Sequence, residues 1–224
     1  MSDLDNPVYA SLTGPHRHFA LQVGRSVRYP AEVSAFAGFA GPPTSRDWAD
    51  LAENTGPAAV VLLTGVFGDP PPDWDVVDSI PGVQLVDDGV AAAPDDEAIR
   101  LGAADVADML ALVADTQPGP FFSRTVELGT YLGVRRGGRL VAMAGERLHP
   151  PGFTEISAVC TAADFRGQGL STRLVHAVAH QIRARGETPF LHATASNERA
   201  IRLYRSLGFR LARTPGFLAV RVPG

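Results

Sequence analysis

Three groups of residues have types and spacing that could do chemistry. The first is Arg166-Gly167-Gln168-Gly169-Leu170-Ser171. It lies between a strand-like run, Thr154 to Thr161, and a helix-like run in which Leu174, Val178 and Ile182 follow Leu170 on one apolar stripe. A strand that turns through glycines into a helix leaves main-chain N–H groups unpaired at the positive end of the helix dipole, where an anion such as a pyrophosphate fits. Gly167 and Gly169 remove the Cβ atoms that would hold a phosphate off, and Arg166 can add a full positive charge. The same residues also satisfy a plain tight connection between strand and helix. The second group is Cys160 with His192: an imidazole-assisted thiolate could carry an acyl group, although a lone cysteine more often packs as a small hydrophobe. The third is His176 and His180, four apart on one helix. Without a third ligand nearby they read as two partly exposed helix residues rather than a metal site.

A later segment, His192 to Phe209, extends the first group. Asn197 suits a helix N-cap, Ala200, Ile201, Tyr204 and Leu207 share one face, and Gly208 suits the helix stop. Together the two segments resemble the GCN5-related N-acetyltransferase (GNAT) superfamily, whose acyl-CoA loop reads Gln/Arg-x-x-Gly-x-Gly/Ala and whose later helix carries Asn, a small residue and Tyr ahead of Gly-Phe. The loop here is Arg166-x-x-Gly169-x-Ser171, so a hydroxyl departs from the pattern at the last small position. The run Ile156 to Phe209 resembles the FR47-like branch of that superfamily.

The resemblance implies an α/β fold with a mixed sheet, in which two central strands splay and admit the pantetheine arm of acetyl-CoA or another acyl-CoA. Val159, Cys160 and Thr161 would bond the arm through their backbone, and the amides of Gly167, Gln168, Gly169, Leu170, Ser171 and Thr172 would hold the pyrophosphate. Asn197 and Tyr204 would approach from the other side. Acyl transfer to an amine needs a neutral nucleophile, a polarised carbonyl and a proton for the departing thiolate, and an alkylamine with a pKa near about 10 is mostly protonated at neutral pH. By family position, Glu155 is the expected base, or an ordinary cleft carboxylate. Tyr204 is the expected acid, or a core tyrosine anchoring its helix. The N–H of Val159, freed by a bulge, would polarise the thioester. The implied activity is direct attack by the amine of a small molecule or peptide, with no metal. The rival reading is a noncatalytic acyl-CoA-binding module. Relatives that pair allow a homodimer. Acceptor walls are expected from Phe121, Phe122, Tyr131, Met143 and the N-terminal region.

The elements that must position these groups fill 224 residues, 45% hydrophobic and 20% charged, enough for one large domain or two small ones. With 24 acidic against 20 basic residues there is no general nucleic-acid-binding signature, one cysteine excludes an internal disulfide, and no apolar run suggests a membrane span or secretory signal. The cytoplasm is the expected location. Residues 1–94 read as a small mixed α/β accessory domain, or as a degraded relative of the second, and residues 95–224 as the GNAT domain, with a joint over Asp88 to Glu97. Within the first, Met1 to His16 is expected as a loose lead-in, Asp73 to Ser79 as a short helix and Val83 to Asp87 as a strand. In the second, Phe121 to Leu128 is expected to be helical, followed by a hairpin around Gly137-Gly138. Arg173, Arg183, Arg202 and Arg205 are either phosphate partners or a solvated basic face.

Overall fold

The computed structural model describes residues 2–65 and 67–224. The first residues are not a loose lead-in. Pro7, whose missing N–H costs nothing in a first helical turn, opens a helix, α1 (Pro7–Thr13). Its buried Val8 and Leu12 pack with Phe19, Tyr29 and Phe36, and also with Leu128, Leu148, Phe190 and Phe217 from the second half. Strands β1 (Leu21–Val23) and β2 (Ser26–Arg28) form a hairpin, followed by β3 (Phe36–Phe39), α2 (Ser45–Thr55) and β4 (Val60–Thr64). Thr44 and Asp47 close a capping box at the start of α2.

The expected helix at 73–79 is instead the first half of one long strand, β5 (Asp75–Asp87). Val76, Val77 and Ile80 favour extended backbone, and pairing with β12 along 75–81 outweighs the weak local helical signal. The second half then supplies β6 (Ile99–Leu101), α3 (Val106–Thr116), β7 (Tyr131–Arg136), β8 (Arg139–Glu146), β9 (Phe153–Thr161), α4 (Leu170–Ala184), β10 (Thr188–Thr194), α5 (Glu198–Ser206), β11 (Phe209–Arg213) and β12 (Gly216–Arg221). Of the helix expected over 121–128 only a 3₁₀ turn, Thr125–Leu128, forms.

All strands join one mixed sheet, in the order β1-β2-β3-β4-β12-β5-β10-β9-β8-β7-β6, with β11 also paired to β5. The halves exchange strands. β5 lies between β10 and β11 in the sheet of the second half, while β12, the last strand, pairs with β4 and with the start of β5. Hydrogen bonding therefore crosses the 88–97 joint in both directions. β5 changes partners at Gly82, where the Phe217 ring occupies the space a Cβ would need. The joint itself is docked: Arg173 pairs with Asp95 at 2.6 Å and Glu97 at 2.9 Å, and Arg183 pairs with Asp87 and the Val90 carbonyl. Those arginines are thus committed to holding the chain on α4. The largest core packs α4 and α5 on β8, β9, β10 and β5. Among the described residues no helix is long and apolar enough to cross a membrane.

Candidate active site

β9 and β10 pair in parallel only from Phe153↔Thr188 to Glu155↔Phe190. Beyond that point β9 follows β8 and β10 follows β5, so the two strands part. A bulge contributes to the divergence. The β8–β9 register jumps from Gly145↔Ser157 to Met143↔Cys160, which leaves Ala158 and Val159 opposite Ala144 without ladder partners. Ala158 sits at φ +52°, left-handed backbone that a non-glycine residue adopts at a cost. The opening forms a cavity of about 660 Å³, within the range that holds a cofactor-sized ligand.

Gly167 and Gly169 carry the chain from β9 into α4 at φ +80° and +75°, and a Cβ on either would project into open space. Gly169 is the N-cap of α4 and supplies no side-chain cap. The first helical N–H with a backbone acceptor is that of Arg173, to Gly169 O. Among the described residues the N–H groups of 167 through 172 have no acceptor in the protein, so unpaired donors and the positive helix end face one cavity. Ser171 and Thr161 share a 2.8 Å hydroxyl hydrogen bond that pins the loop to the end of β9. Arg166 Nε donates back to Thr161 O at 3.3 Å. Gln168 is the one loop residue absent from the cavity lining.

Across the cavity stand Asn197 and Tyr204. Asn197 Oδ1 accepts the Ala200 N–H and so starts α5. Tyr204 is 8% exposed, and burial pushes its phenol up to about 12, with the nearby Cys160 thiol adding to the rise. Cys160 faces the core under α3, and burial drives its thiol up to about 11 despite hydrogen bonds to Thr116 and the Met143 backbone. Such a thiol stays protonated, so the acyl-cysteine route lacks its nucleophile.

Glu155 does not sit where a base for an incoming amine must sit. It is fully buried, does not line the cavity, and is gripped by Arg147 through Nε at 2.9 Å and Nη2 at 2.6 Å. Burial alone would raise its pKa, but the Arg147 charge and then His192 outweigh that and hold the carboxyl down to about 2. A carboxylate so held is a poor proton acceptor, which corrects the sequence expectation. Its second partner is His192, whose Nδ1 lies 2.7 Å from Glu155 Oε1. The His192 side chain is 2% exposed, and the residue contributes to the lining of the large cavity and of a second, smaller one. Arg147, stacked over Phe36 at 5.0 Å, is a site residue that sequence reasoning missed. Its only signal was an arginine two residues after the small and apolar run Leu140 to Gly145.

Phe121, Tyr131 and Met143, expected as acceptor walls, are packed in the core under α3. The cavity is walled instead by the last residue of α3, Thr116, and the turn after it, Gln117 to Gly119. Among the described residues no cluster of metal-ligating side chains includes His176 and His180.

The family model described as FR47-like protein matches residues 131–218. A protein of the GNAT family from Novosphingobium aromaticivorans DSM 12444 is 39% identical, with 98% of each chain covered and a TM-score of 0.90. A GCN5-related N-acetyltransferase from Kribbella flavida shares the fold over 97% of this chain and 96% of its own, at 17% identity and a TM-score of 0.60. The N-alpha-acetyltransferase RimI of Mycobacterium tuberculosis (strain ATCC 25618 / H37Rv) is 36% identical over 83 residues, which is 36% of this chain and only 51% of that relative. With splayed strands, a glycine loop of unpaired donors and near-complete alignment to a relative of the same fold, this chain belongs to the GNAT family.

Proposed function

We propose that the chain transfers an acetyl group from acetyl-CoA to the amine of a small molecule or peptide by direct attack. One observation carries this reading: the unpaired stretch of β9 and the unengaged N–H groups of 167–172 open onto the same cavity. Phosphate oxygens accept from those donors at the α4 N-terminus. The pantetheine arm completes β9 by bonding the backbone of Val159, Cys160 and Thr161, while Asn197 and Tyr204 close the other side.

In the transfer, the amine nitrogen forms a bond to the carbonyl carbon and the C–S bond breaks. The Val159 N–H at the bulge faces the carbonyl oxygen as it gains charge. His192 takes the proton the amine loses. The carboxylate of Glu155 fixes the ring tautomer and offsets the charge the ring acquires, so Glu155 is a positioning residue. Tyr204 donates its hydrogen bond, and finally a proton, to the departing sulfur. A phenol near 12 is a weaker acid than a free thiol at about 8.5, so the hydrogen bond does most of the stabilising while sulfur leaves.

The test is acetyl-CoA-dependent thiol release across a panel of amino acids, peptides and simple amines, with product mass measured in parallel. One or more acceptors should gain an acetyl mass at the rate thiol appears. Tight acetyl-CoA binding with no product from any class of amine would favour a noncatalytic module instead.

A further inference from the structure

The large cavity carries one sign of charge. Arg147, Arg166 and Arg199 line it and, among the described residues, no aspartate or glutamate does, although the chain as a whole has a formal net charge of -4. Such a cleft attracts anions and repels a protonated amine. Two of the three arginines have an evident use. Arg166 lies in the glycine loop and Arg199 in the first turn of α5, at the end where the proposed binding mode sets the CoA phosphates.

Arg147 is at the other end. Its N–H bonds Glu155 O at 3.0 Å, beside the last residue pair that β9 and β10 share. From there to Thr161, where β9 ends, the strand runs ~20 Å at about 3.3 Å per residue, so Arg147 stands too far away to share the phosphates.

A guanidinium has two edges, each of which fits a carboxylate. Glu155 takes the side edge, accepting from Nε at 2.9 Å and from Nη2 at 2.6 Å. Among the described residues nothing accepts from the end edge, Nη1 with the outer Nη2 hydrogen, and Nη1 is not sealed off as the Tyr131 hydroxyl is. The side chain is only 13% exposed, so this edge has given up most of its water without gaining an acceptor, a cost that a ligand oxygen would recover. Phe36, 5.0 Å from the guanidinium carbon, covers one face of the plane and helps to fix it. Glu155 occupies a different edge, which leaves the end edge open to a second carboxylate.

Resting on the acetyl-transfer reading above, we infer that Arg147 selects the acceptor and that the acceptor is an amine carrying a carboxylate. The carboxylate takes the end edge of Arg147, and the amine turns towards the thioester at Val159 within the same cavity. The carboxylate also offsets the charge of the amine, so polyamines are excluded.

The experiment follows thiol release from acetyl-CoA with alanine, phenylalanine and β-alanine, each against its amide, and with spermidine. Acetyl-CoA binding is measured separately by calorimetry. The amide keeps the size of the acid and its amine is the weaker base, so basicity alone favours the amide. At least one amino acid should nevertheless exceed its amide in kcat/KM by about 10–100-fold, as charge-assisted hydrogen bonds predict. Its N-acetylated form should bind the CoA-loaded protein at least about tenfold more tightly than the N-acetylated amide. Arg147→Lys keeps a charge beside Glu155 and loses the second edge; it should raise the KM for that amino acid at least about tenfold, with acetyl-CoA affinity unchanged. Should that variant not fold, the wild-type panel decides alone. Amides or spermidine used as well as the acids overturn this inference and leave acetyl transfer standing. An unchanged KM in folded Arg147→Lys overturns it too. Failure of the folded wild type to bind acetyl-CoA overturns the underlying reading as well, and the calorimetry distinguishes the two cases.

Discussion

His192 Nδ1 sits 2.7 Å from Glu155 Oε1, and the same carboxylate takes two hydrogen bonds from Arg147. A buried charge pair contributes little when whole, yet breaking one by removing a single partner is expensive because the other is left uncompensated. Glu155→Gln should therefore lower the unfolding free energy by about 3–5 kcal/mol, measured by urea denaturation at pH 7. A change below 1 kcal/mol would mean that the cluster is not held as described.

The pH dependence follows from the same group. The folded carboxyl, at about 2, lies below its ordinary 4.5. Its stabilisation is thus full above 4.5 and is lost as pH falls from there towards 2. Urea midpoints of the wild type should drop over that window, and those of Glu155→Gln should drop less.

A second acid-sensitive point is His16, which joins the N-terminal segment to the other half. Its Nδ1 meets the Tyr29 hydroxyl at 2.8 Å and its Nε2 meets Leu128 O at 3.1 Å. Burial first, then the neighbouring His149, brings its pKa from 6.5 to about 3. The unfolded chain binds this proton more readily, so stability present above pH 6.5 is lost on the way down to pH 3. His16→Gln should flatten the melting-temperature profile between pH 6.5 and 4.5, above the Glu155 window. An unchanged slope would show that His16 does not titrate with folding.

Much of this site was legible in the sequence, and for a local reason. The strand, the glycine loop and the helix from Leu170 are contiguous, and the change of hydrophobic period across them marks the turn. The Asn197 cap and the Gly208 stop are equally local. What was not legible depends on residues far apart in the chain. The 73–79 stretch reads as a helix in isolation and is a strand because β12, from the other end, pairs with it. Glu155 fits the family position of a base, and Arg147, just after β8, and His192, on β10, change its chemistry. Leu4 to Leu12 looked like a lead-in because its burial is supplied by partners such as Phe190 and Phe217.

Gly169 carries a prediction about binding separable from one about folding. At φ +75° a β-branched residue is strained, and its side chain would point into the cavity. Gly169→Val should cost about 1–2 kcal/mol of stability and reduce acetyl-CoA affinity by well over about tenfold. Calorimetry on the folded variant reads the second effect, and unaltered affinity would count against the loop as the phosphate site.

Ser171, where the family pattern has Gly or Ala, tests the converse. Its hydroxyl bonds Thr161, so in the proposed binding mode it serves the anion through its main-chain N–H. Ser171→Ala should cost about 1 kcal/mol or less of stability and leave acetyl-CoA affinity within a few-fold. A large loss of affinity would assign the hydroxyl itself to the ligand.

Tyr204→Phe removes the phenolic hydroxyl, the proposed proton donor, and keeps the ring that packs against Phe209. With an acceptor in hand, kcat should fall by about 100-fold or more, with acetyl-CoA affinity little changed. A kcat near that of the wild type would reduce Tyr204 to a helix anchor.

The grip of the main chain from Gly167 to Thr172 on a diphosphate beside the opened strands is the step on which the proposed transfer depends. Its most direct test is a ¹H–¹⁵N correlation spectrum of the labelled protein during titration with CoA. The amide resonances of Gly167, Gly169, Ser171 and Thr172, together with Val159 and Thr161 on β9, should shift together and saturate at one equivalent. Saturable binding that leaves those amides unmoved, or no binding by the folded protein, would contradict the account.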